Sequence, residues 1–185
     1  MVGGSSKGIG EAIARQLADS GASVTLMARN KPKMEAIIQE LDTSQGQKHQ
    51  YLVVDFSNFE SFKETISSFI RANPIDILVN NTQGPAAGGA LEKNVGDYQE
   101  AFDLLFKSVV CTTTLVLEHM QRQQWGRIIN VASISVKEPL NYLALSNSIR
   151  AAVVTWAKSL AFDVAKDGIT VNNVLTGYFD TDRIA

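Results

Sequence analysis

The spacing of apolar positions changes in a regular way along this chain. Ile9, Ile13 and Leu17 recur every four residues with Ala12, Ala14 and Ala18 beside them, which predicts a helix of small residues able to lie close to a sheet. Gly21 ends that helix, and Val24–Ala28 follows as a short apolar run of strand length. Pro32 suits the first turn of a second helix, whose periodic positions are Met34, Ile37, Ile38 and Leu41. The exchange then repeats as strand Tyr51–Asp55, helix Asn58–Ala72, strand Ile75–Asn80, helix Asp97–Gln123, strand Arg127–Ala132, helix Leu143–Lys166 and strand Ile169–Val174. Nearly continuous apolar strands are buried on both faces, and strict alternation with helices predicts parallel strands joined by right-handed crossovers. The expected fold class is α/β, a doubly wound parallel sheet with helices on both faces. No internal repeat, low-complexity tract or linker interrupts the pattern, and Gly84–Gly89 reads as a loop.

Length and composition narrow this picture without redirecting it. At 185 residues, 45% hydrophobic and 19% charged, the chain has the size of a single domain spanning residues 1–185. A formal net charge of −2 gives no general attraction to nucleic acid or anionic membrane, so phosphate recognition has to come from a local site. One cysteine, Cys111, and two histidines offer neither an internal disulfide nor a metal-ligand cluster, so the expectation is a metal-free protein of the cytoplasm. No apolar run approaches the roughly 20 residues of a membrane helix, and the N-terminus does not read as a signal peptide. Met1-Val2 leads straight into glycine and Ala185 falls in a loop. The expectation is an incompletely represented chain that lacks most of its first strand and a C-terminal portion.

The candidate chemistry begins at Gly4-x-x-x-Gly8-x-Gly10, which opens the first helix directly after the strand remnant. There backbone N–H groups and the helix dipole can meet a pyrophosphate, and glycine lets the phosphate approach without a Cβ in the way. A tight strand-to-helix turn without any ligand has the same sequence form. Arg29 stands just past the second strand, and Met27, Ala28 and Arg29 include no acidic residue to accept a bond from a free 2′-hydroxyl. Arg29, with Lys7, therefore favours a 2′-phosphate and NADP over NAD, against the plain alternative of a solvated surface arginine.

Taken together, Gly4-Ser5-Ser6-Lys7-Gly8-Ile9-Gly10, Val54-Asp55, Leu78-Val79-Asn80-Asn81, Asn130-Val131-Ala132-Ser133 and Asp167-Gly168-Ile169-Thr170-Val171-Asn172 resemble the short-chain dehydrogenase/reductase family over essentially the whole chain. The resemblance implies a Rossmann-type domain in which Gly4, Ser6, Lys7, Gly8, Ile9 and Gly10 hold the cofactor phosphates and Asp55 faces the adenine. Asn80 and Asn81 support the central strand end and adenosine pocket, while Gly177 and Thr181 lie on the cofactor side of the substrate loop. Read alone, Asp55 is equally a turn cap, Asn81 a loop hydrogen-bonder, and Thr181 and Asp182 helix-capping residues. Gly3 stands where the family usually has threonine, and Thr82-Gln83 replaces an Ala-Gly pair.

The family interconverts carbonyls and alcohols by hydride transfer, with a tyrosine for the proton, a lysine one turn later, a serine on the substrate oxygen and a helix asparagine holding a water. Only Ser133 matches. Ser146 aligns with the tyrosine, Arg150 with the lysine, Leu105 with the asparagine, and Thr176-Gly177 with a Pro-Gly pair. Arg150 keeps a positive charge that can bind ribose hydroxyls or favour an alkoxide, though a planar fork is no substitute for a compact ammonium. Ser146 cannot replace a phenol titrating near pH 10, because an aliphatic hydroxyl is a far weaker acid. Tyr142 is the nearest other phenol and reads as a loop or packing residue.

The expected function is an NADP-dependent oxidoreductase with an atypical proton-transfer site, acting on a 3-oxoacyl thioester or similar small-molecule carbonyl. The alternatives are a catalytically inactive NADP-binding sensor and a structural subunit that assembles with an active relative. A homodimer or homotetramer is implied by the resemblance, since Leu105–Met120 and Val153–Ala165 match the family's association surfaces. Nucleic acid and membrane are not expected partners.

Overall fold

A computed structural model of the chain describes residues 1–179, which gather into two compact units, Met1–Asp55 together with Tyr178 and Phe179, and Phe56–Gly177. In the first unit, β1 (Val2–Gly3) is followed by α1 (Gly8–Asp19), β2 (Thr25–Ala28), α2 (Lys31–Glu40) and β3 (Gln50–Val53). The strands run parallel in the order β3-β2-β1, with Val2 opposite Leu26 and Thr25 opposite Gln50. Val2, Leu26, Ala14 and Ala18 are completely buried, so α1 turns Gly10, Ala14 and Ala18 inward, while the periodic Ile9, Ile13 and Leu17 are half-buried and Ala12 is exposed. Asn30 caps α2 by accepting from the Lys33 N–H at 3.0 Å, and Pro32 lies in the first turn, where its missing N–H costs nothing. Here β3 departs from expectation. It is an outer strand, and Val53 is 45% exposed rather than buried on both faces.

The second unit runs α3 (Phe59–Ala72), β4 (Ile77–Asn80), α4 (Val95–Phe102), α5 (Ser108–Arg122), β5 (Gly126–Val131), α6 (Ala144–Val164) and β6 (Ile169–Val174). Its strands are parallel in the order β4-β5-β6, and the register sets Asn80 opposite Asn130 and Asn130 opposite Asn173. Phe62, Ile66 and Ile70 form the buried stripe of α3 at helical spacing. Central β5 is largely buried, whereas outer β6 alternates, with Thr170 and Asn172 exposed.

The long helix expected over 97–123 is interrupted. Asp103–Lys107 forms a π turn between α4 and α5, with the Ser108 N–H bonded to the carbonyl of Asp103 five residues back. The Ser108 hydroxyl donates to the Leu104 carbonyl at 2.6 Å within this widened stretch. Each flanking helix keeps its own α period, so a reading of periodicity shows two helical stretches and not the inserted residue between them. Among the described residues no helix is long and apolar enough to cross a membrane.

Candidate functional site

The glycine-rich segment takes the form a phosphate site needs. Gly4 and Gly8 both sit at φ 56°, the left-handed region that costs a side-chain-bearing residue about 1–2 kcal/mol. Lys7, the residue preceding α1, contributes no side-chain cap to the helix, in contrast to the Asn30, Asn58 and Asn94 caps of α2, α3 and α4. The first turn of α1 thus lacks a side-chain cap, and Gly8 is exposed. A dinucleotide pyrophosphate fits this arrangement on its donor chemistry.

Sequence reasoning passed over Ser5, which lies inside the motif and is completely buried. Its hydroxyl oxygen accepts the Met27 N–H at 2.8 Å, and its own N–H donates to the Met27 carbonyl at 3.4 Å. Ser5 thus pins the turn to β2. Ser6 and Ile9 are half-buried and Gly10 is buried within the same turn. Arg29, exposed, immediately follows β2, beside Asn30 that caps α2. Asp55 is half-buried two residues past the end of β3, after Val54, whose N–H bonds the Ala28 carbonyl at 3.0 Å. Both histidines serve local structure. His49 accepts the Val24 N–H on Nδ1 and contacts the Asp42 carbonyl through Nε2, while His119 pairs with Asp76.

In the second unit the strand ends carry a chain of side-chain amides. Asn80 donates through Nδ2 to Asn130 Oδ1 at 2.8 Å and to the Thr113 hydroxyl at 3.1 Å, and Asn130 donates in turn to Asn173 Oδ1 at 3.0 Å. Asn80, Asn130 and Thr113 are all buried, so each satisfied amide removes a desolvation cost and fixes the orientation of the next. Asn80 was legible as a strand-end residue. Thr113 and Asn173 were not, since nothing in their sequence neighbourhood shows that they face it. Asn81, next in sequence, is half-buried.

Ser133 follows β5 in extended conformation, and its hydroxyl oxygen accepts the Ser135 N–H at 3.2 Å. That bond leaves the hydroxyl hydrogen for donation. Ser146 and Arg150 sit one turn apart on α6. Arg150 Nε donates to the Ser146 hydroxyl at 3.2 Å, and Nη1 donates to the Val131 carbonyl at 2.7 Å. Ser146 is only 7% exposed. The structure therefore brings Ser146 and Arg150 into direct contact and directs part of the guanidinium onto the end of β5. A cavity of about 10 Å³ is lined by Asn80, Thr82, Leu105, Asn130 and Arg150, with Val109, Val131, Ala132 and Val153. Leu105 belongs to the π turn and gives this cavity an apolar wall.

Tyr142 is 48% exposed, and its carbonyl accepts the Gly88 N–H at 2.7 Å, so the Gly84–Gly89 loop is tied to the start of α6. Gly177 is exposed past β6, next to Thr176. Thr181 and Asp182 lie outside the described residues.

A family model described as short chain dehydrogenase matches residues 1–185. An uncharacterized oxidoreductase of Staphylococcus epidermidis is 31% identical over 181 residues, covering 98% of this chain and 77% of the relative. The 3-oxoacyl-[acyl-carrier-protein] reductase of Chlamydia pneumoniae is 33% identical over 187 residues, covering 98% of this chain and 73% of its own length. Among solved structures, that of YwfH, an NADPH-dependent reductase involved in bacilysin biosynthesis, superposes with a TM-score of 0.92 at 28% identity over 98% of this chain and 72% of that one. The parallel strand orders and these superpositions are those of a doubly wound, Rossmann-type α/β fold.

Proposed function

The chain belongs to the short-chain dehydrogenase family, and on that premise we propose that it is an NADP-dependent reductase of a 3-oxoacyl thioester or similar carbonyl, working without the usual tyrosine. The reading of NADP rests on Arg29 at the end of β2, on the lack of an acidic residue there, and on the NADPH named for the similar reductase. The turn from Gly4 to Gly10 holds the pyrophosphate with backbone N–H groups, and Arg29 with Lys7 pairs with the 2′-phosphate. When bound, NADPH supplies a hydride.

The observation that carries the reading is Ser133, held at the end of β5 with its hydroxyl hydrogen available to a substrate carbonyl oxygen. Such a hydrogen bond strengthens as negative charge develops on that oxygen. Ser146 is too weak an acid to complete the alcohol, so the proton comes from water. The cavity beside Arg150 has the volume of about one water, and Arg150 there favours the alkoxide electrostatically. NADPH titration followed by single-turnover oxidation against a carbonyl panel tests this. Slow turnover that Ser133→Ala reduces about tenfold is expected, the scale of a lost transition-state hydrogen bond. Strong turnover that needs Tyr142 overturns the water-assisted route.

A second reading has its own observation. Ser146 and Arg150 bond to each other and to the Val131 carbonyl, as in a site that keeps its shape and has given up its proton chemistry. An NADP-binding sensor or structural subunit then binds the cofactor and shows no turnover in any variant of Ser133 or Ser146.

A further inference from the structure

The segment that follows β5 is gripped by the end of β6 and the residues just beyond it. Beyond the strand pairing, the Ala132 N–H donates to the Val174 carbonyl at 2.9 Å. The Thr176 hydroxyl then donates to the Ala132 carbonyl at 2.9 Å, and the Ile134 N–H donates to the Thr176 carbonyl, also at 2.9 Å. The Ala132 carbonyl belongs to the peptide group before the Ser133 Cα, and the Ile134 N–H to the peptide group after it. One residue thus fixes both peptide planes that set the backbone of Ser133, one through its side chain and one through its main chain. Ser133 is held at φ −149° and ψ 147°.

We infer that Thr176 is the positioning residue of Ser133, and that its hydroxyl takes up a task for which the family's proline has no donor. A proline supplies the carbonyl that Ile134 needs but cannot reach the Ala132 carbonyl with a hydrogen. Ala132 is 4% exposed, so water does not readily replace the missing partner, and the peptide before Ser133 turns to find another. A hydroxyl that must meet a carbonyl oxygen tolerates little of this, because its hydrogen bond weakens steeply with misalignment. The inference rests on the reading of Ser133 as the donor to the substrate oxygen.

Thr176→Val and Thr176→Ser test it, with Thr176→Ala standing in should the valine variant fail to fold. Crystal structures should show Ser133 Oγ displaced in Thr176→Val and in place in Thr176→Ser. An unmoved Ser133 in the valine variant overturns the proposal whether or not the protein turns over. In kinetics, Thr176→Val should lower kcat for NADPH-dependent reduction about tenfold while KM for the carbonyl and the NADPH Kd hold, with Thr176→Ser restoring the rate. Added to Ser133→Ala, the same substitution should cost nothing further. An equal loss in both backgrounds, or a fall in NADPH affinity that matches the fall in kcat, refutes it. Wild-type protein inert toward every carbonyl strikes the reductase reading alone, and the crystallographic comparison still decides the role of Thr176.

Discussion

The starts of α1 and α6 are the two places where this chain should meet its ligands, and they are built in opposite ways. At α1, glycines in the left-handed region open the turn, no side chain caps the helix, and the one buried hydroxyl, Ser5, is turned back to hold β2. At α6 the first N–H is taken by the Gly88 carbonyl at 3.1 Å, and the side chains of Ser146 and Arg150 bond each other. The first region leaves its helix start without a side-chain cap; the second spends its polar side chains on internal bonds. A phosphate site made of backbone tolerates any sequence that keeps the glycines. A proton-transfer site made of side chains is lost or remade by two substitutions.

The largest expected effect is a gain. Ser146→Tyr combined with Arg150→Lys should raise NADPH-dependent carbonyl reduction by about 100-fold or more, the scale of restored general acid catalysis. Stopped-flow oxidation of NADPH checks this, with thermal melting to show that the buried Ser146 position accepts a phenol. Equal rates in the double variant and wild type would mean that the native site already moves its proton efficiently, and the contrast between the regions would fall.

Next in size is Gly8→Val. A β-branched residue at φ 56° is strained by about 1–2 kcal/mol, and its side chain occupies the approach to the N–H groups of α1. NADPH Kd by calorimetry should weaken at least about tenfold, because the side chain fills the space the pyrophosphate needs. Full affinity in a folded variant would move the cofactor away from this turn.

Arg29→Ala sharpens the same region with a more selective loss. A charge-assisted bond to a 2′-phosphate contributes about 1.5–3 kcal/mol, so NADPH binding should weaken by roughly 10- to 100-fold while NADH binding stays constant. Parallel titrations with the two cofactors check it, and equal losses for both would show Arg29 to be a surface residue without a 2′-phosphate to read.

The smallest effect lies away from both helix starts. Burial pushes the Asp76 carboxyl up, but hydrogen bonds from His119 and Gln123 more than offset this and hold it below the usual carboxylate range. A depressed folded-state pKa contributes stability above the unfolded value of about 3.9, and that stability is lost as pH falls through the folded value. Acid melting curves should therefore steepen below about pH 4, and Asp76→Asn should flatten them slightly, because the group is largely exposed and screened. An unchanged acid limb would show that the pair contributes nothing to folding.

Much of the architecture was written in local pattern. The four-residue spacing of Ile9, Ile13 and Leu17, Asn30 ahead of Pro32, and the apolar runs around Leu26 and Ile128 each specify an element from its own residues, because helix and strand periods are properties of neighbouring positions. The glycine motif was legible for the same reason, its chemistry being backbone conformation over seven consecutive residues. Which strand is outermost was not, and so the exposure of β3 came only with the order β3-β2-β1.

The sequence by itself determined the α/β class, the glycine-rich turn ahead of α1 and the residue types at Ser133, Ser146 and Arg150. Only the tertiary structure decided what those side chains meet. Arg150 meets Val131 across 19 residues, Asn80 meets Asn130 across 50, and Thr176 meets Ala132 across 44. No spacing rule couples positions so far apart, since their distance is set by strand register and helix packing rather than by the chain between them. The π turn at Leu105 belongs with them, for the period within each flanking helix is unchanged and the widening shows itself in which carbonyl the Ser108 N–H finds.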